Sequence, residues 1–114
     1  MLLDRQDFDG LALITVNEAR IDAAVAIQFK DSLRQLAGDE PPRIVLDMAQ
    51  VQFLDSSGLG AVVAAMKQLG AARKLELAGL TPTVDKVFHL TRMNTVFTIH
   101  ADASDAIGGL AQAS

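Results

Sequence analysis

The stretch VQFLDSSGLGAVVAAM, residues 51–66, decides how the chain is read, because it passes from an apolar run, through an acid, two hydroxyls and two glycines, into a helical pattern. Beyond the serines, Leu59, Val62, Val63, Met66 and Leu69 recur at i, i+3, i+4, i+7 spacing, and Gly70 ends the run. Asp55-Ser56-Ser57 therefore sits at the entry to a helix. Side chains of this kind accept hydrogen bonds from the free N–H groups of a first turn, so capping alone is one complete explanation. A second is nucleophilic chemistry, a third a phosphate cradle, and a fourth a site that receives a phosphate.

At 100° per residue, the direction opposite Leu59, Val63 and Met66 holds Ser57, Ala61, Ala64, Ala65, Gln68 and Ala72. An outward helix face usually carries Glu, Lys and Arg, whereas this one is small and nearly uncharged. It reads as a track along which another protein's helix could approach closely, with Ser57 at its head. The plainer readings are helix propensity, or contact with a neighbouring element of the same chain. A phosphate on Ser57 would add about −1.5 to −2 charge, which a helix N-terminus tolerates and a close-packed partner opposes.

Working outward, Leu11 to Val16 (LALITV) and Ile44 to Leu46 (IVL) are short runs rich in β-branched residues, bounded by Gly10, Asn17, Pro42 and Asp47, as buried strands are. Leu75 to Ala78 and Phe97 to Ile99 are weaker strand candidates. The Asp-Gly turn signal in FDGL predicts that the segment before Gly10 forms a hairpin with Leu11 to Val16 as an edge strand. Ile21, Val25, Phe29, Leu33 and Leu36 predict a helix over 23–37, entered through Asp22. Pro82 sets another, with Val84, Val87, Phe88 and Thr91 on one face, and a last helix follows Asp102 or Ser104. Strands thus alternate with helices. That order implies an α/β fold on a mixed sheet, its first strand antiparallel.

With 114 residues, half of them hydrophobic, the chain suits one domain over 1–114. Acids outnumber bases 14 to 10 and the basic residues are scattered, so no nucleic-acid footprint is expected. Cys is absent and His numbers two, which excludes thiolate metal sites and disulfides. No apolar run approaches the roughly 18 residues of a membrane span, and Asp4, Arg5 and Asp7 break any signal-peptide core. A soluble cytoplasmic protein without cofactor or metal is the expectation.

The enzymatic readings are thin. A nucleophile elbow needs G-x-S-x-G, and Asp55 stands where its first glycine would be. Gly58 and Gly60 come with neither a Walker Lys-Ser/Thr nor a third dinucleotide glycine, which leaves nucleotide binding as the lesser alternative. His89 and His100 read as structural histidines, and the pairs Asp4 and Asp7, or Asp39 and Glu40, as solvated charge. No residue set demands catalysis.

The central segment IVLDMAQVQFLDSSGLGAVVAAMKQL resembles the core motif of STAS domains, named for sulfate transporters and anti-sigma factor antagonists, and specifically the stand-alone bacterial antagonists. LALITVNEARIDAAVAIQFKDSL resembles the family's strand, loop and first helix, and LELAGLTPTVDKVFHLTRMNTVFTIHADASDAI its closing strand, helix, strand and helix. The resemblance implies the STAS fold: one mixed β-sheet of about four to five strands, with about four helices packed mainly on one face. It also implies partner switching, in which the unmodified protein binds an anti-sigma factor, usually a serine kinase, and frees a sigma factor.

Phosphorylation by that kinase at the second hydroxyl of the motif, which maps onto Ser57, would end binding, and a PP2C-like phosphatase would restore it. Asp22, Asp55, Ser56 and Gly58 match family positions around that surface, so with Ser57 and the track of Ala61, Ala64, Ala65 and Gln68 they form the candidate partner-binding set. The alternative within the family is a scaffold subunit of another assembly, such as a lipid-transport ABC complex. Two departures stand out: Ala19 where the family often has Gly, and Arg92 where a Gly commonly follows the third helix. A monomer is expected, with weak pairing through the alanine-lined face as the other outcome.

Overall fold

The computed structural model describes residues 3–113. Strand β1 (Leu3–Phe8) turns through Asp9 and Gly10, whose φ of +76° suits glycine, into β2 (Leu11–Val16), and the two pair antiparallel as the Asp-Gly signal predicts. Strands β3 (Arg20–Ile21) and β5 (Phe53–Leu54) form a separate two-residue parallel pair. The main sheet has the order β1-β2-β4-β6-β7, with β4 at Arg43–Asp47, β6 at Lys74–Ala78 and β7 at Ile99–His100, all parallel to β2. The helices are α1 (Ala26–Ala37), α2 (Ser56–Leu69), α3 (Pro82–Leu90) and α4 (Ala103–Ala113).

The central strands are buried on both faces, which is why they read as unbroken apolar runs rather than alternating ones. Ala12, Ile14 and Val16 of β2 face the larger core with Ile44, Leu46, Leu75 and Leu77, under Phe29 and Leu33 of α1, Val62 of α2 and Val84 and Phe88 of α3. Leu11 and Leu13 face the other side, where Val45, Ala78 and Ala106 of α4 make a smaller core. Three helices on one face and one on the other match the expected layering.

Local differences from the sequence reading have physical causes. Helix α1 starts at Ala26 rather than 23, because Asp22 takes the next N–H groups into a turn: its Oδ1 accepts from Ala24 N–H at 3.2 Å and its carbonyl from Val25 N–H at 3.1 Å. Phe97 is not in a strand. It is buried, edge-on to Phe88 with ring centroids 5.9 Å apart, and β7 begins two residues later. Thr91 leaves the apolar face of α3 and caps its end, donating Oγ1–H to the Val87 carbonyl at 2.7 Å. The far end of α1 is held by two arginines: Arg5 donates to the carbonyls of Leu36 and Ala37, and Arg73 to those of Ala37, Gly38 and Pro41.

On the α4 face, Glu76 is the one buried charged side chain among the described residues, 3% exposed. Arg43 grips it with two bonds, Nε to Oε2 at 2.7 Å and Nη2 to Oε1 at 2.8 Å, and His100 Nε2 lies 2.7 Å from Oε1. The Arg43 guanidinium, helped by His100 and opposed by burial, holds the carboxyl from 4.5 down to about 2. Because the folded value lies below the unfolded one, this network stabilises fully above about pH 4.5, and its contribution disappears as pH falls toward 2. Glu76→Gln should therefore cost on the order of 2–3 kcal/mol near pH 7 in urea titrations, with the gap from wild type closing between pH 4.5 and 2.

Of the two departures noted in the sequence, Ala19 needs no glycine geometry: Arg92 is the only non-glycine with positive φ among the described residues, at +61°. Arg92 thus occupies the left-handed position that ends the third helix. Arg92→Gly should raise stability by about 0.5–1 kcal/mol in the same titration, the relief of left-handed strain less the added unfolded-chain entropy of glycine.

Candidate functional site

The site is built where the β3–β5 pair meets the start of α2. Asp55, in extended conformation, is the N-cap: its Oδ1 accepts from Gly58 N–H at 2.9 Å, while Oδ2 accepts from Ala23 N–H at 3.3 Å in the loop before α1. One carboxylate therefore ties two segments 32 residues apart. Gly58 closes the joint. A Cβ there would collide with the Ile21 carbonyl oxygen and come within 2.8 Å of Leu54 Cδ1, so only glycine lets the helix seat on β3. Asp22 anchors the facing loop, and Arg20, 3.3 Å from Asp22, stacks over Phe53 at 4.2 Å from the ring centroid.

Capping thus falls to Asp55, and Ser56 and Ser57 occupy the first two helical positions with exposed side chains. Asp22 and Asp55 are half-buried beside them, Ala64 is half-buried and Gln68 is exposed. Ala61 and Ala65 correct the sequence expectation. They are 7% and 4% exposed and pack into the core with Gly58 and Val62, so neither projects outward from the helix. Helix α1 packs directly against α2, and small residues at that contact allow the close approach, which is the same-chain reading of the alanines. Leu59, Val63, Met66 and Leu69 are displaced to half-buried flanks, and Ala72 lies past the end of the helix.

The outward strip of α2 instead runs Ser56, Ser57, Gly60, Ala64, Lys67 and Gln68. On one side a depression of about 200 Å³ lies against α1, lined by Ala26, Ile27, Lys30, Ser57, Gly60, Ala61 and Ala64. On the other a depression of about 390 Å³ faces the end of α3, where Ser56, Leu59, Val63, Lys67, Thr91 and Met93 join Gly60 and Ala64. Ile27 and Leu90, 73% and 74% exposed, are large apolar side chains left bare on α1 and α3. The sequence reading missed Gly60, Ile27, Lys30 and Met93. Gly60 could have been found, since it stands midway between Ser56 and Ala64 at i+4 spacing. Both histidines are engaged elsewhere, His100 with Glu76 and His89 with Asp85 at 3.5 Å.

Two substitutions separate the roles at this joint. Asp55→Ala should lower stability by about 1–2 kcal/mol through loss of the cap, and should increase hydrogen exchange at Ala23 as well as Gly58. Gly58→Ala should cost more than that, because the carbonyl it strikes is backbone and cannot rotate away. Equal and small losses for the two would contradict this geometry.

Comparison with known proteins agrees with this layout. The profile of the STAS domain matches residues 4–106. The chain is 24% identical over 104 residues to the anti-sigma-F factor antagonist RsfB of Mycobacterium tuberculosis, with 91% of this chain and 84% of that one covered. It is 29% identical over 98 residues to the anti-sigma-B factor antagonist of Listeria monocytogenes, covering 85% and 84%. The crystal structure of an anti-sigma factor antagonist from Mycobacterium paratuberculosis superposes with a TM-score of 0.83 at 25% identity, covering 96% of this chain and 93% of that one. With the profile spanning nearly every described element from the β1–β2 hairpin into α4, the chain belongs to the STAS domain family.

Proposed function

We propose that this protein is an anti-sigma factor antagonist whose unphosphorylated form docks on an anti-sigma factor through the surface around Ser57, and that phosphorylation of Ser57 ends docking. The observation that carries this reading is the placement of Ser57: exposed at the second position of α2, relieved of the capping role by Asp55, and at the head of the Gly60–Ala64 strip. The names of the relatives favour it over a scaffold role in a lipid-transport complex.

In this reading Asp22, Asp55, Ser56, Ser57, Ala64 and Gln68 meet the partner directly, while Gly58, Ala61 and Ala65 hold the shape of the surface from beneath. The anti-sigma factor is itself the serine kinase, a PP2C-like phosphatase reverses the modification, and the cycle runs in the cytoplasm. The protein contributes a surface and a hydroxyl, with no chemistry of its own.

The physical logic is differential. A phosphate at the start of α2 meets free N–H groups and the positive end of the helix dipole, so the fold tolerates it. The carboxylates of Asp22 and Asp55 stand on the same surface, and a partner packed onto Gly60 and Ala64 has to desolvate the added charge. A penalty of about 2.7 kcal/mol on the complex suffices to weaken it roughly a hundredfold.

Incubation with the cognate kinase and ATP should add one phosphate to the wild type and none to Ser57→Ala, by intact-mass spectrometry. In a binding titration Ser57→Ala should match the wild type and Ser57→Asp should bind about a hundredfold more weakly. Absence of phosphate together with binding indifferent to charge at 57 would overturn the reading.

A further inference from the structure

We propose that Lys30 is the internal counter-ion of phosphorylated Ser57, drawn across the α1–α2 depression so that modification closes the docking floor as well as charging it; this rests on the reading of Ser57 as phosphoacceptor. Ser57 and Lys30 line the same depression from opposite walls, one in the first turn of α2 and the other a turn into α1. Between them the floor is Gly60, Ala61 and Ala64, and nothing stands within 4 Å of where a Gly60 side chain would begin. A lysine side chain crossing from α1 would lie over that floor.

The charges around Ser57 single out this residue. Asp55, on the same element, is committed to two N–H groups, and Asp22, on the facing loop, to Ala24 N–H and Arg20. Both repel a phosphate. Arg20 is itself held between Asp22 and the Phe53 ring. Lys67 lies in the depression on the other side of Gly60, which Ser57 does not line. Lys30 makes no hydrogen bond or ion pair among the described residues, so it is the cation beside Ser57 that is free to move. Its long stem can cover apolar surface while its ammonium reaches an anion. Helices α1 and α2 pack directly against each other, which holds the two walls at a fixed spacing, so the closing movement is that of the lysine side chain.

The test uses neither kinase nor partner. Phosphoserine is placed at position 57 during synthesis, and the phosphorus resonance is followed through its second ionisation, near pH 6 for a free phosphoserine. In the wild type the midpoint should lie about 0.2–0.7 pH units below that of Lys30→Gln, the size an exposed ion pair gives. Lys67→Gln should leave it unchanged, and the difference should fade in high salt. The Ala64 methyl resonance should shift on phosphorylation in the wild type and stay in place in Lys30→Gln. Equal midpoints for wild type and Lys30→Gln, or equal displacement by the two lysine substitutions, would overturn the pairing. A lowered midpoint in a protein that no cognate kinase modifies would uphold the pairing while removing the Ser57 reading, so the two fail separately.

Discussion

The contact on which the candidate surface around Ser57 depends is the seating of Gly58 on the Ile21 carbonyl. Because no side chain intervenes, the first turn of α2 sits directly on the short strand β3, and the Asp55 carboxylate can reach both Gly58 and Ala23. Everything exposed nearby follows from that joint. The cap is already filled, so the hydroxyls of Ser56 and Ser57 point to solvent at a fixed position, between a loop anchored by Asp22 and a helix pair that cannot separate without opening the core. A serine on a loose loop would present the same hydroxyl without the same surface.

The sheet divides labour between its faces. The larger core, beneath α1, α2 and α3, supports the strip that begins at Ser56. The smaller one, beneath α4, carries the Arg43–Glu76–His100 network, which spans β4, β6 and β7 and ties three strands through one carboxylate. That buried charge sits on the opposite face of the sheet from Ser57. Its chemistry belongs to stability, and its separation would let the proposed docking side change charge without disturbing the rest of the fold.

Much of this was legible from the chain, for reasons that can be named. The strands at 11–16 and 44–46 declared themselves because both sheet faces are covered, the second running one residue further at each end, and α2 and α3 because Gly70 and Pro82 punctuate strong helical periods. The β3–β5 pair was not legible, since two-residue strands have no period to detect. The burial of Glu76 was not legible either, since it is decided by Arg43 and His100, 33 and 24 residues away in sequence. Ala61 and Ala65 differ from the sequence reading for a more instructive reason. Side-chain size was taken to mark the core, whereas where two helices pack closely the smallest residues mark the contact, so Ala61 and Ala65 face α1 and the larger Leu59 and Val63 are pushed to the flanks. The outward strip is the neighbouring arc, with Gly60 and Ala64 at its centre.

The central claim is therefore about location: the partner meets the α1–α2 surface around Ser57. Hydrogen exchange of the protein alone and in complex with its anti-sigma factor tests it most directly. The account predicts protection concentrated in residues 22–30 and 55–68, with the β1 edge and α4 unchanged. Protection confined to α4 or to the β1 edge, with the serines still exchanging freely, would contradict it.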